Sequence, residues 1–380
     1  MQNRTNPLAW KGQFSPQFID VLLKTYSSPG NHVLDPFVGS GTVIGECVRH
    51  QLSATGIEIN PAAVILARVY AWATVTRQVR QEAITLVEQV AHEFINSGTA
   101  ALSDAGEVLF RPQDLAKKIA EIGDPDVRGL AGSAFVLADP KWNSVDPGRL
   151  RVSVRRLREL LVGLPETRLP VSVIEGDARL VPLDSNTVDL VLTSPPYINV
   201  FNYHQQYRPA VEALGYDVLD AARSEIGSNR KHRMNRFLTV IQYCIDMAAV
   251  ISEMRRVLRP SGRIIIVLGR ESRVRGIPIL NGDLFCSVAA RAGGLIGIMR
   301  QERAFTNRFG ERIVEDILHF EVNERASVEP KAARDIGREY LRSVVSLAGG
   351  DVRADIHAAI DQADEISSSR LYSSEPPARL

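Results

Sequence analysis

The chain has 380 residues, of which 45% are hydrophobic and 23% are charged, a composition typical of a globular enzyme. Its 45 basic and 44 acidic residues nearly cancel. This balance argues against binding to nucleic acid through overall positive charge, but it allows a local basic groove. The chain has no signal peptide and no apolar run of bilayer length, so we expect a cytoplasmic protein with no membrane partner.

The three cysteines, Cys47, Cys244 and Cys286, are scattered along the chain. Their spacing fits neither a zinc site nor a disulfide framework. We therefore predict no metal site, and a reducing compartment suits the protein.

Short β-type runs alternate with helical patterns, which predicts an α/β sheet with crossover helices. The first five predicted strands are apolar without alternation, as is typical of strands covered on both faces. The last two predict a closing hairpin with its turn near residues 307–310. The predicted strands are 32–35, 54–59, 172–176, 188–193, 263–268, 295–301 and 312–322.

Two long segments interrupt this alternation. Residues 62–170 exceed what one crossover helix requires, and their Asp-Pro turns predict a helical insertion or small subdomain. Residues 199–240 are polar, aromatic and basic. The catalytic domain would then comprise 1–61 and 171–325. The Ser-rich and Pro-rich tail, 366–380, is expected to be disordered.

The strongest motif is the octet Asp-Pro-Phe-Val-Gly-Ser-Gly-Thr at 35–42, placed between a predicted strand and a predicted helix. Gly39 and Gly41 let the backbone turn tightly and approach a ligand closely. The following helix offers unpaired N–H groups to an anionic group. An isolated glycine pair would indicate only a turn, but the whole octet indicates a ligand-binding loop.

Acidic residues end the next two predicted strands. Glu58 is placed to accept both ribose hydroxyls of a nucleotide-like cofactor, although alone it fits a helix cap equally well. Asp177 could accept an adenine amino group, although a plain Gly-Asp turn is the commoner interpretation of that pair alone.

The fourth predicted strand ends in Thr193-Ser194-Pro195-Pro196-Tyr197. Two successive prolines cannot continue a hydrogen-bonded ladder, so the strand must stop there and expose backbone carbonyls. Ser194 and the carbonyl of Pro195 can then accept hydrogen bonds from an amino group, and Tyr197 offers a ring face. The simpler alternative is a Pro-Pro turn without a ligand.

The octet followed by Thr-Ser-Pro-Pro-Tyr resembles the amino-methyltransferase family, whose members methylate adenine N6 or cytosine N4 in DNA. The resemblance extends from about Trp10 to Val322, without a clear match in the two interruptions. It implies a doubly wound, seven-stranded, Rossmann-like methyltransferase sheet with a C-terminal antiparallel hairpin, with S-adenosylmethionine as cofactor and double-stranded DNA as substrate.

The resemblance also implies site residues. Ser194, Pro195, Pro196 and Tyr197 would be catalytic. Phe14 lies in a segment, 11–18, that loosely resembles the family's N-terminal cofactor motif. The full set of expected cofactor-binding residues is Phe14, Asp35, Pro36, Phe37, Gly39, Ser40, Gly41, Thr42, Glu58, Asn60, Asp177, Ala178 and Thr193.

The order of the motifs places target recognition in an insertion or towards the C-terminus, and residues 199–240 are the candidate segment. Within it, residues 223–236 carry five basic side chains against one acidic one, which suits contact with phosphates and guanine edges. A solvated loop face is the alternative. The residues expected to bind DNA are Asn199, Tyr203, Arg230, Lys231, Arg233 and Arg236.

The implied chemistry is direct transfer of a methyl group to an exocyclic amine, which the site must position. No cysteine follows a Pro-Pro pair, which argues against the thiolate route to C5-methylcytosine. The target base would have to be flipped out of the duplex. Serine in the first tetrad position favours cytosine N4, with adenine N6 as the alternative.

Three other functions compete with this interpretation. RNA guanosine N2-methyltransferases resemble Asp-Pro-Pro-Tyr and carry an N-terminal RNA-binding domain, for which the 34 residues before Asp35 leave no room. Protein-glutamine methyltransferases would have Asn-Pro-Pro-Tyr. A non-catalytic DNA- or cofactor-binding module would be expected to have damaged motifs, and both motifs are intact. A cognate restriction enzyme, where one exists, would lie outside this chain.

Overall fold

A computed structural model describes residues 5–96, 101–102, 108–198, 202–228, 232–306, 310–323 and 331–373. Its strands are β1 (His32–Asp35), β2 (Ser53–Glu58), β3 (Ala101–Leu102), β4 (Val108–Leu109), β5 (Val171–Glu175), β6 (Val188–Thr193), β7 (Leu258–Gly269), β8 (Glu271–Val274), β9 (Ile277–Leu280), β10 (Leu295–Thr306) and β11 (Arg312–Val322).

Seven of these strands form one sheet in the order β10-β11-β7-β6-β1-β2-β5. The five strands from β7 to β5 run parallel, and β11 pairs antiparallel with both β7 and β10. The predicted doubly wound sheet with a closing hairpin is therefore confirmed. The main differences are in length, since β7 begins at Leu258 and β10 continues to Thr306.

The helices are α1 (Pro16–Tyr26), α2 (Thr42–Arg49), α3 (Pro61–Ala67), α4 (Arg77–Asn96), α5 (Pro112–Ala120), α6 (Pro125–Ala138), α7 (Pro147–Gly163), α8 (Arg208–Ala213), α9 (Val218–Ser224), α10 (Leu238–Val257), α11 (Asn281–Arg291), α12 (Ala332–Val344) and α13 (Gly350–Asp361). Two of the Asp-Pro pairs begin helices. Asp124 and Asp146 cap α6 and α7 through their carboxylates, and each is followed by proline at the first helical position. Among the described residues, no helix is both long and apolar enough to cross a bilayer.

Both faces of the sheet are covered by apolar layers. Successive strand residues alternate between them, so Val33 and Leu34, adjacent on β1, lie in different clusters. Val267 and Leu268 on β7 separate in the same way. This alternation of apolar side chains on both faces explains the continuous apolar runs in the sequence.

The described residues of 62–170 lie mainly in helices, and their apolar side chains share a core with the sheet. Ile84, Phe94 and Leu157 belong to the same cluster as Val33. The buried Arg80 joins α4 to the end of α7 by donating from Nη1 to the carbonyls of Leu161 and Leu164, at 3.0 and 2.7 Å. The segment is therefore an extension of one face of the sheet.

The C-terminal segment differs from the expected disordered tail in its described part, 366–373. Ser369 is only 5% exposed, and its N–H donates to Oδ1 of Asp246 on α10 at 2.8 Å. Tyr372 donates its hydroxyl to Oε1 of Glu175 at the end of β5, at 2.5 Å. Polar composition suggested disorder, but these polar groups donate hydrogen bonds to the carboxylates of Asp246 and Glu175. Residues 374–380, and the predicted hairpin turn at 307–309, lie outside the described residues.

Candidate active site

Loops that follow the carboxyl ends of four parallel strands, β1, β2, β5 and β6, enclose a cavity at one edge of the sheet. Ligands bind at this edge in doubly wound folds. The cavity is lined by residues 10–14, 35–40, 42–43, 58–60, 176–178, 194–197, 203 and 224–228.

The carboxylate of Asp35, the last residue of β1, holds the loop that follows this strand. Oδ1 of Asp35 accepts hydrogen bonds from Oγ1 of Thr193 at 2.6 Å and from the N–H of Phe37 at 3.1 Å. Burial raises the pKa of Asp35 to about 7.

Gly41 has φ +87°, and a Cβ there would lie 2.8 Å from the ring of Tyr70. Glycine is required at this position because the chain packs against itself there.

The carboxylate of Glu58 organises the loops on both sides of it. Its Oε2 accepts from the N–H of Gly39 at 3.0 Å, and its Oε1 accepts from the N–H groups of Ile59 and Asn60 at 3.0 and 2.9 Å. Burial raises the pKa of Glu58 to about 7. A carboxylate has about four acceptor positions, so these contacts leave one on Oε2. Glu58 therefore has a free acceptor position for one ribose hydroxyl, whereas the sequence predicted that it accepts both.

Asp177 lines the cavity, but its carboxylate is already occupied. Oδ1 accepts from the backbone N–H and the Nε of Arg179, both at 2.9 Å. Oδ2 accepts from Nη2 of Arg179 at 2.6 Å and from the N–H of Tyr372 at 2.9 Å. Burial acts to raise the pKa of Asp177, but these hydrogen bonds outweigh it and the pKa is lowered. The structure therefore does not support Asp177 as the acceptor for an adenine amino group.

The Ser-Pro-Pro-Tyr tetrad follows β6 and lines the same cavity as the octet loop. Oγ of Ser194 lies 3.4 Å from Oη of Tyr197, so the two polar groups of the tetrad face each other. Burial raises the pKa of Tyr197, which keeps its hydroxyl neutral. An acceptor hydroxyl and an aromatic ring therefore stand side by side at the cavity wall.

The segment 224–228 packs against the tetrad, and sequence reasoning did not assign it to the cavity. Gly227 has φ +70°, and a Cβ there would lie 2.5 Å from the carbonyl oxygen of Tyr197. Glu225 fixes the neighbouring segment by accepting from the N–H of His204 at 2.9 Å and lying 3.0 Å from its Nδ1. In the sequence, Glu225 is distinguished only as the one acidic residue of a basic segment, and Gly227 has no side chain to indicate a role.

The N-terminal segment closes another side of the cavity. Trp10 stacks on Tyr203, with ring centroids 6.4 Å apart and planes 10° apart. Gln13 accepts a hydrogen bond from Oγ of Ser40 at 2.9 Å, and Asn6 accepts from Oγ1 of Thr42 at 3.3 Å. The hydroxyls of the octet therefore hold the N-terminal segment in place. Sequence reasoning found Phe14 here but missed Trp10.

Most predicted site residues meet at this cavity. All four tetrad residues line it, as do all predicted cofactor residues except Gly41 and Thr193, which support the loop from outside the wall. Asn60 also caps α3, because its side chain accepts from the N–H of Ala62 at 3.0 Å.

The predicted DNA-binding residues are more dispersed. Tyr203 lines the cavity. Arg233 and Arg236 are exposed before α10 and do not line it. Asn199, Arg230 and Lys231 lie outside the described residues.

Comparison with known proteins agrees with the motif at the N-terminus. Residues 1–68, which include the octet and Glu58, match the family described as DNA methylase. The Type II methyltransferase M.MjaII of Methanocaldococcus jannaschii is 37% identical over 60 residues, which are 16% of this chain and 11% of that protein. The Type II methyltransferase M.XycI of Xanthomonas campestris pv. cyanopsidis is 44% identical over 54 residues, 14% of this chain and 18% of that protein.

These DNA methylase matches span less than a fifth of either relative. Among solved structures, a SAM-dependent methyltransferase from Methanosarcina mazei aligns over 79% of this chain and 96% of its own, with 11% identity and a TM-score of 0.34. The family similarity covers residues 1–68.

Proposed function

We propose that this protein is an S-adenosylmethionine-dependent DNA methyltransferase that modifies an exocyclic amino group, with cytosine N4 as the favoured target. The observation that carries the proposal is the shared cavity, because the octet loop, Glu58 and the Ser-Pro-Pro-Tyr tetrad all line it. The family match at residues 1–68 supports the same conclusion.

The cavity offers groups that fit the proposed cofactor. Oε2 of Glu58 retains one acceptor position for a ribose hydroxyl, and Trp10, Phe14 and Phe37 provide apolar walls. The first turn of α2 follows the octet, so its N–H groups favour an anionic group. Bound there, S-adenosylmethionine would supply an activated methyl group. The protein's task is then to bind and orient the acceptor amine beside it.

The tetrad is proposed to hold that amine. Ser194 and the Pro195 carbonyl would accept its two N–H groups, so that the nitrogen lone pair is directed away from the protein and into the cavity. Tyr197 would stack on the base, a contact worth roughly 1–3 kcal/mol in single-strand binders. Because the cavity lies below the surface loops, a base in a duplex would have to be flipped out to enter it.

The proposed substrate is double-stranded DNA. Arg233 and Arg236 are exposed and are proposed to contact phosphates beside the flipped base, together with Asn199, Tyr203, Arg230 and Lys231. Phosphate contacts position a duplex without reading its sequence. Any cognate restriction enzyme would be a separate protein, and such a partner is proposed only by analogy with Type II systems.

The test is incubation of the protein with labelled S-adenosylmethionine and unmethylated duplex DNA of mixed sequence, followed by mass spectrometry of the nucleosides. N4-methylcytosine is the expected product. N6-methyladenine would support the enzyme class and contradict the favoured base. The label in RNA, or no label despite measurable cofactor binding, would contradict the DNA proposal. The Ser194→Ala variant is the control, since it should bind cofactor normally and transfer slowly.

A further inference from the structure

Helix α7 presents two basic flanks to solvent. The helix carries five arginines against one glutamate. Its apolar side packs into the core that it shares with the sheet, and four of the arginines are exposed, namely Arg149, Arg151, Arg155 and Arg156. Because an α-helix has 3.6 residues per turn, Arg149 and Arg156, seven positions apart, lie on one flank of the apolar side. Arg151 and Arg155, four positions apart, lie on the other flank.

The flank with Arg149 and Arg156 lies close to Tyr207, which packs beside the wall of the cavity. The ring centre of Tyr207 lies 6.3 Å from that of Trp10, a residue of the cavity wall. The hydroxyl of Tyr207 donates to the carbonyl of Ala9 at 2.8 Å. Burial raises the pKa of Tyr207, and the positive charges of Arg156 and Arg149 oppose that rise. These two arginines are therefore the ones that α7 places towards the cavity.

An exposed tryptophan extends this surface. Trp142 is 57% exposed, and Cζ of Arg208, the residue after Tyr207, lies 5.6 Å from its ring centre. Three residues before Trp142, the carboxylate of Asp139 accepts from Nη2 of Arg149 at 2.8 Å. Basic and aromatic side chains from four separate segments thus meet beside the cavity. We call this group the rim surface, and it consists of Trp10, Trp142, Arg149, Arg156, Tyr207 and Arg208.

The rim surface offers positive charge that a phosphate can use. The side chains of Arg149 and Asp139 are 51% and 47% exposed, and an ion pair so exposed is weak, so a phosphate can replace the carboxylate. Arg156 has no carboxylate partner among the residues that the structure describes. The two arginines lie about 10 Å apart along the helix, a span of about three phosphates on one DNA strand. Since the whole chain is nearly neutral, local patches of this kind must attract a duplex.

We infer that the rim surface binds the phosphate backbone of duplex DNA while the target base occupies the cavity. The inference rests on the proposed DNA methyltransferase function, and it gives the helical segment 62–170 a role in holding the substrate. Arg149 and Arg156 donate to phosphate oxygens, and the exposed ring of Trp142 packs against the adjoining sugars. Phosphate contacts carry no sequence information, so this surface strengthens DNA binding and leaves the choice of base to the cavity.

The experiment measures binding of the full chain to unmethylated mixed-sequence duplex DNA over a series of salt concentrations. The test variant combines Arg149→Gln with Arg156→Gln. Each lost phosphate contact lowers the slope of log Kd against log salt concentration by about 0.9, so the slope should fall by about 2 and the Kd for DNA should rise about tenfold. The kcat at saturating DNA and the Kd for S-adenosylmethionine should stay near the wild-type values, because neither arginine lines the cavity.

The double substitution of Arg151→Gln and Arg155→Gln is the matched control. It removes the same charge from the same helix, and in both variants one of the two arginines has a carboxylate partner, since Arg155 pairs with Glu159 at 3.9 Å. Its Kd for DNA and its salt slope should stay close to the wild-type values. Trp142→Ala leaves all the arginines in place, so it should weaken DNA binding without changing the salt slope. If the test variant unfolds, Trp142→Ala decides.

The outcomes separate this inference from the proposed function. If the wild-type protein methylates DNA and the two double variants have equal affinity for it, the inference alone is overturned, because the flank of α7 would then make no difference. A test variant that loses affinity for RNA but not for duplex DNA would also overturn the inference alone. Wild-type protein that binds cofactor but methylates no DNA would overturn both.

Discussion

Nη1 of Arg179 donates a hydrogen bond of 2.6 Å to Oγ of Ser369, a residue 190 positions later in the chain. The same guanidinium bridges Asp177 and Asp246, at 2.6 and 2.9 Å, and also donates to the carbonyl of Arg370 at 2.8 Å. The end of the chain is thereby tied to the loop that follows β5 and lines the cavity. A buried arginine between two carboxylates needs all of these contacts, because an uncompensated buried charge is strongly destabilising.

The Ser369→Ala variant should therefore lose stability. Its hydroxyl both accepts from Arg179 and donates to Oδ2 of Asp246 at 2.9 Å, so removal leaves two buried charged groups short of a partner. We expect a decrease of about 1–3 kcal/mol in the free energy of unfolding, measured in urea. Ser368→Ala is the control, since Ser368 is exposed and should change stability by less than about 0.5 kcal/mol. Equal stability of the two variants would contradict the prediction.

The fold and most of the cavity could be predicted from local sequence. Apolar β-branched runs identified the strands, and the spacing of the octet, Glu58 and the tetrad identified the loops at their ends. Asp177 shows why the remaining contacts of the cavity could not be predicted from local sequence. Its position after β5 was evident, but its partners Arg179 and Tyr372 meet it only in the folded chain. The contacts of residues 366–373 were missed for the same reason, since polar composition suggests disorder unless the partners of those residues are known.

Glu58 should make stability depend on pH. Its pKa is raised by burial to about 7 from an ordinary value of 4.5, so the folded protein binds more protons than the unfolded chain between these values. Stability from this group is therefore full below about pH 4.5 and is lost as the pH rises through 7. Relative to Glu58→Gln, the wild-type free energy of unfolding should fall by up to about 3 kcal/mol across that window. Chemical unfolding of both proteins at a series of pH values measures this change. A difference in the free energy of unfolding between wild type and Glu58→Gln that stays constant with pH would contradict the prediction.

Trp10 should matter for cofactor binding. Its ring lines the cavity and stacks on Tyr203, and a Cβ at Gly39 would lie 3.3 Å from it. Trp10→Ala removes this apolar wall beside the octet, so we expect the Kd for S-adenosylmethionine to rise about tenfold. Trp142→Ala is the control, because Trp142 is 57% exposed and does not line the cavity. Calorimetric titration of both variants measures the effect, and similar Kd values would count against this role for Trp10.

Gly227 should be needed for the geometry of the tetrad. A Cβ there would lie 2.5 Å from the carbonyl oxygen of Tyr197, so Gly227→Ala should displace the tetrad. Misplacement of a reacting group by about 1 Å can lower a rate by about a hundredfold. We expect a loss of that order in methyl transfer, with the Kd for cofactor nearly unchanged.

Gly276 provides the matched control for this substitution. It also has a positive φ, +85°, but a Cβ there meets no atom within 4 Å. Gly276→Ala therefore introduces the same backbone strain without the steric contact, and it should keep its transfer rate. Initial rates of methyl transfer and cofactor titrations distinguish the two effects. Equal rates for the two variants would contradict the role of the contact between Gly227 and Tyr197 in positioning the tetrad.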